Sequence, residues 1–119
     1  MKSIKEIQLQ DAWKKEDPAI KESAKSFWLT QKVILRDQVL TERSKQLLVV
    51  ARDSNGKIIA TSTALKTQVK LLNNNWLYQY RCFVDPDFRT IGLDVHLTLE
   101  SLKLLEQAAL HENEKPIGV

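Results

Sequence analysis

The residues best suited to chemistry lie together in Val84-Asp85-Pro86-Asp87-Phe88-Arg89-Thr90-Ile91-Gly92-Leu93-Asp94-Val95-His96-Leu97. This stretch joins a strand-like run to a helix-like one, so the backbone N–H groups from Arg89 to Asp94 fall at a helix N-terminus. Such a terminus offers unpaired donors and the positive end of the helix dipole, the requirements for holding phosphate. Arg89 adds a cation, and Gly92 removes a Cβ where a ligand could approach the backbone closely. The plainer alternative is that Pro86 and Gly92 only shape a tight connection.

Other reactive side chains have weaker cases. Cys82 is the only cysteine, which excludes an internal disulfide or a Cys-cluster zinc site, and no metal site is expected. A nucleophilic thiol needs a base beside it, and neither His96 nor His111 can be placed there by spacing, so Cys82 reads as a buried structural thiol. Tyr78 and Tyr80 alternate on a strand and read as core. Glu42, Asp53 and Asp85 are candidate general bases, with nothing to single one out. Arg81 could meet an acidic substrate or Asp85, and an ion pair with Asp85 is the expectation. Trp13, set among Lys14, Lys15 and Glu16, is expected to be exposed, whereas Trp28 belongs to a buried helix face.

The elements that must carry these residues follow from periodicity and punctuation. Residues 4–9 suggest a short first strand. Asp17-Pro18 places an N-cap before a proline at the first helical position, and Ile20, Ala24, Phe27, Trp28 and Leu35 then mark a buried helix face. A second, surface helix is expected over Asp37 to Lys45, with a thin apolar side of Val39 and Leu40. Leu47 to Ala51 reads as a buried strand, and Asp53-Ser54-Asn55-Gly56 as a hairpin turn leading to a long strand over Lys57 to Val69. A second turn at Leu72 to Asn75 leads to a strand over Trp76 to Val84, which Asp85-Pro86 ends. A long helix is expected from about Gly92 to His111, with Val95, Leu99, Leu102, Leu105 and Ala109 on one face and Leu97, Leu104 and Leu110 widening it.

Length and composition bound the answer. With 119 residues, 43% of them hydrophobic and 28% charged, the chain suits a single globular domain over residues 1–119 and argues against disorder. Its longest purely apolar run, Leu47 to Ala51, is too short to span a bilayer, and no signal-peptide pattern opens the chain, so a cytoplasmic protein away from membranes is expected. The net charge of +3 is a weak nucleic-acid signal, and none is expected as a partner. Charge is uneven, however: residues 52–91 carry six basic and three acidic groups, while residues 92–119 carry two and five, which leaves the middle the better place for an anionic ligand.

The stretch after the last strand resembles the acetyl-CoA-binding motif of the GNAT N-acyltransferase superfamily, in which a strand ending Val-x-Pro-x-(Tyr/Phe)-Arg enters a Gly-rich loop and a long helix. Val84, Pro86, Phe88, Arg89, Gly92 and Leu97 match, and the order of the preceding elements fits independently. The resemblance implies an α/β (α+β) fold with a mostly antiparallel sheet flanked by helices, and acetyl-CoA as acyl donor to a primary amine. It further implies that Cys82, Phe83 and Val84 offer backbone groups to the pantetheine arm and acyl carbonyl. The pyrophosphate would be held by the backbone of Arg89, Thr90, Ile91, Gly92, Leu93 and Asp94.

Two departures give a second reading. Asp94 stands where the family has Gly or Ala, and its carboxylate would repel a pyrophosphate or cap the helix by taking the donors that phosphate needs. Lys115-Pro116-Ile117-Gly118-Val119 matches the start of a fifth strand, and the family's later C-terminal strands and acid tyrosine are lacking. The resemblance is thus compatible either with an N-acetyltransferase or with a degenerate, non-catalytic binding or dimerisation module. A homodimer could supply the missing wall. No catalytic residue is assigned.

Overall fold

The computed structural model describes residues 7–15, 17–69 and 75–109. Four strands form one sheet: β1 (Gln8–Asp11), β2 (Leu47–Arg52), β3 (Ile58–Val69) and β4 (Asn75–Val84). Their order in the sheet is their order in the chain, and every pair is antiparallel. Helices α1 (Pro18–Thr30) and α2 (Asp37–Ser44) lie between β1 and β2; a 3-10 helix (Pro86–Ile91) and α3 (Leu93–Ala109) follow β4. The expected mostly antiparallel α/β arrangement is present. The predicted turn at residues 72–75 and the helix end past Ala109 lie at least partly outside the described residues, as do residues 4–6 of the predicted first strand.

Two apolar layers sandwich the sheet. On one face α3 packs through Leu93, Leu97 and Leu105 onto Leu48, Val49, Ala51, Ile59, Ala60, Ala64, Tyr78 and Val84. On the other, Ile20, Ala24, Phe27 and Trp28 of α1 and Leu40 of α2 cover Leu47, Val50 and Ile58. β2 is therefore buried on both sides, which is why it is a continuous apolar run rather than an alternating one. The β2–β3 register jumps between Leu47↔Thr63 and Val49↔Ser62. This bulge turns the successive residues Leu48 and Val49 to the same, α3-facing layer. A second jump, between Ala51↔Ala60 and Arg52↔Ile58, does the same for Ile59 and Ala60.

Local signals account for the helix ends. Asp17 caps α1, its Oδ1 accepting from the N–H groups of Ala19 (3.0 Å) and Ile20 (3.4 Å). α1 ends where Lys32 adopts φ 58° and the Val33 N–H reaches back to the Trp28 carbonyl at 3.0 Å, a Schellman-type closure. Leu35 thus lies beyond the helix and is 68% exposed, a correction to its predicted place on the buried face.

α3 turns a different face to the sheet from the one its leucines suggested. The buried stripe is Leu93, Leu97, Ser101 and Leu105, at steps of four, while Val95, Leu99 and Leu102 are exposed. Ser101 belongs to the stripe because β3 presents the small residues Ala60, Ser62 and Ala64 beneath it. There the Ser62 and Ser101 hydroxyls meet at 2.7 Å, and Ser101 Oγ also donates to the Leu97 carbonyl at 2.7 Å. The Val49 N–H, left without a ladder partner by the bulge, donates to Ser62 Oγ at 3.1 Å.

Candidate functional site

β4 is one of the two outer strands of the sheet, and among the described residues nothing pairs with its far edge. The β3–β4 register runs unbroken from Ala60↔Val84 to Val69↔Asn75. The Asp85 N–H donates to the Ile59 carbonyl at 2.8 Å, which fixes the parity of the ladder. In an antiparallel pair, alternate residues point both backbone groups toward the partner or both away. Phe83 and Arg81 therefore face β3, and Val84, Cys82 and Tyr80 turn their N–H and C=O outward. Of the three residues expected to offer backbone groups, Cys82 and Val84 sit in the right phase, while Phe83 spends its groups on Thr61.

The connection after β4 is tighter than an open loop. Asp85 ends the strand and caps the 3-10 helix: its Oδ1 accepts from the Asp87 N–H at 3.0 Å, and its carbonyl accepts from the Phe88 N–H at 2.8 Å. Phe88 and Leu93 anchor this connection in the core. Arg89, Thr90 and Ile91 lie in the 3-10 helix, and Gly92 closes it at φ 74°, a left-handed conformation that favours glycine. Among the described residues, no heavy atom beyond Gly92 and its chain neighbours lies within 4 Å of where a Cβ on Gly92 would stand, so the space beside it is open. α3 begins at once; the His96 N–H closes onto the Gly92 carbonyl at 3.2 Å, and the N–H groups of Leu93, Asp94 and Val95 precede that first bond. Asp94 is exposed in this first turn and makes no side-chain hydrogen bond among the described residues, so the alternative in which it takes the helix donors is not realised.

Cys82 is exposed, contrary to the buried thiol expected. It shares the α3-facing side of β4 with Tyr80, but lies at the edge where α3 does not reach over it. Tyr80 is half-buried, and its hydroxyl meets Thr98 Oγ1 at 3.1 Å. Burial pushes the phenol above its ordinary pKa; hydrogen bonds with Thr98 and Ser101 pull the other way, and the Cys82 thiol alongside adds to the rise. Tyr78 is core, as expected, and Trp13 packs edge-on against it with ring centroids 6.1 Å apart. The expected exposure of Trp13 is thereby corrected. His96 is exposed, and His111 lies outside the described residues.

The candidate bases have structural duties. Glu42 pairs with Lys45 at 3.3 Å, and Asp53 Oδ1 holds the hairpin by accepting from the Asn55 and Lys57 N–H groups. Asp85 accepts from Gln31 Nε2 at 3.2 Å, so the expected Arg81–Asp85 ion pair is not made. Arg81 instead lies by Arg43 of α2 at a cleft of about 120 Å³ on the α1/α2 side of β4, lined also by Trp28, Thr61, Thr63, Cys82 and Phe83. Burial, and secondarily the Arg81 charge, holds the Arg43 guanidinium below its ordinary pKa. No local pattern flags Arg43; only the folding of α2 over the sheet brings it to β4.

No family sequence profile matches the chain, and no curated protein matches it in sequence. Solved structures do match. An acetyltransferase from Trypanosoma brucei superposes with a TM-score of 0.59 at 15% identity, over 95% of this chain and 80% of that one. Glucosamine-6-phosphate N-acetyltransferase from Arabidopsis thaliana gives 0.60 at 16% identity, over 95% and 81%. A GNAT-family acetyltransferase from Streptococcus pneumoniae gives 0.56 at 13% identity, over 83% and 66%. The chain has the fold of the GNAT acetyltransferases. At such identities the likeness carries the fold alone.

Proposed function

We propose that this protein is an acetyl-CoA-dependent N-acyltransferase acting on a primary amine. One observation carries the reading: the outward backbone groups of β4 lead, through one short 3-10 helix, to a left-handed glycine and a helix N-terminus with open space beside it. The residues present suit the cofactor. Cys82 would offer its outward N–H and C=O to the pantetheine arm, and the N–H groups of Leu93, Asp94 and Val95, which precede the first bond of α3, would face the pyrophosphate, with Gly92 setting the turn. Bound there, acetyl-CoA would supply an activated thioester, whose acetyl group passes to the amine nitrogen as the C–S bond breaks and the amine's proton is given up to the leaving thiolate. The chain's part is positioning: fixed dipoles neutralise phosphate charge, and the sheet edge aligns the thioester for direct attack. A cytoplasmic setting suits this reading, and no described helix is long and apolar enough to cross a membrane.

Asp94 and the exposed Val95, Leu99 and Leu102 favour the alternative, a non-catalytic module that binds a partner or a second copy through α3. Calorimetric titration with acetyl-CoA separates the two. Micromolar binding that Arg89→Ala abolishes is the expected result, together with slower reaction of the Cys82 thiol with a disulfide reagent when the cofactor is present. No binding at millimolar acetyl-CoA overturns the reading. Asp94→Gly should tighten binding by about tenfold, the scale of a single unfavourable charge.

A further inference from the structure

We propose that Arg43 and Arg81 form an oxyanion cradle in the acceptor pocket, so that the amine accepted carries a carboxylate or a phosphate. This rests on the acyltransferase reading and names its substrate class. The two arginines come from α2 and β4 and line one small cleft beside Cys82 and Phe83, at the sheet edge where transfer would occur. Neither makes an ion pair among the described residues. Elsewhere the chain pairs its cations cheaply: Lys25, Lys45 and Lys103 each meet a glutamate three positions earlier in sequence. The carboxylates nearest the cleft in sequence are committed, Glu42 to Lys45 and Asp85 to Gln31 and the 3-10 helix.

Two like charges brought together without a counter-ion repel each other, and a bound oxyanion would offset that repulsion while accepting in-plane N–H bonds from both forks. The remaining walls suit a small ligand. Trp28, Val33, Ile34 and Phe83 are apolar, and the Thr61 hydroxyl is already used, accepting from Trp28 Nε1 at 2.9 Å. At about 120 Å³ the cleft takes an oxyanion with a few attached carbons, well below the space a whole nucleotide needs.

The test has two independent arms. In the first, thermal unfolding of the full chain is followed with inorganic phosphate or acetate at constant ionic strength. The wild type should be stabilised, Arg43→Gln and Arg81→Gln should lose the response, and Arg81→Lys, which keeps the charge without the fork, should respond less. Both glutamine variants should unfold no earlier than the wild type without added anion, because they relieve repulsion. A stronger response to acetate assigns a carboxylate, and a stronger response to phosphate assigns a phosphate ester. An equal response in wild type and variants overturns the cradle. In the second arm, acetyl-CoA turnover is measured on amines with and without an anionic group. Arg81→Gln should raise KM for anionic amines about tenfold more than for neutral ones; equal effects overturn the proposal. If acetyl-CoA is neither bound nor turned over, the acyltransferase reading fails, while the anion arm still decides whether the cradle exists.

Discussion

Tyr80 shows how one side chain reports on its surroundings. Its raised pKa means that the native state holds the phenolic proton more tightly than the unfolded chain does. The stability this represents is fully present below the unfolded value of about 10 and is lost as pH rises through the native one, because above about 10 the unfolded state binds fewer protons. Urea midpoints measured from neutral pH to pH 11 should therefore fall more steeply in the wild type than in Tyr80→Phe. Parallel curves would show that burial at this site leaves the phenol untuned. At neutral pH the same variant should lose about 1 kcal/mol with the Thr98 hydrogen bond.

At the scale of elements, punctuation was legible and phase was not. Asp17-Pro18 and Asn55-Gly56 act within a few residues of themselves, so their cap and turn could be read before any tertiary contact was known. The buried face of α3 depends on what lies beneath it. Ser101 looks like a solvent position by hydropathy, yet the small residues of β3 and the Ser62 hydroxyl draw it into the core, and Val95, Leu99 and Leu102 rotate outward. The exposure of Cys82 was hidden for the same reason: strand alternation gives its face but not where the covering helix stops. At the candidate site, the glycine and the helix start were visible in the chain, whereas the outward phase of Cys82 and Val84 required the ladder and Arg43 required α2. α1 also stores a correctable cost at its end, since Lys32 holds a left-handed conformation that disfavours a Cβ. Lys32 is exposed, so Lys32→Gly should stabilise the protein by about 1 kcal/mol, measured by chemical denaturation.

For the molecule as a whole, the sheet order has a consequence for how the chain assembles and comes apart. β2, β3 and β4 are successive neighbours, so each pairing closes a short loop at small entropic cost. β1 joins β2 only after the chain has passed through both α1 and α2, and it does so along four residues with one face largely in solvent. The three-stranded meander should therefore form first and open last, with β1 the late arrival and the early leaver. Native-state hydrogen exchange should find the β1 amides that bond β2 opening at lower free energy than those of the β2–β3 ladder. If both sets exchange only with global unfolding, β1 is as much a part of the folding nucleus as the meander, and the sheet assembles in one step.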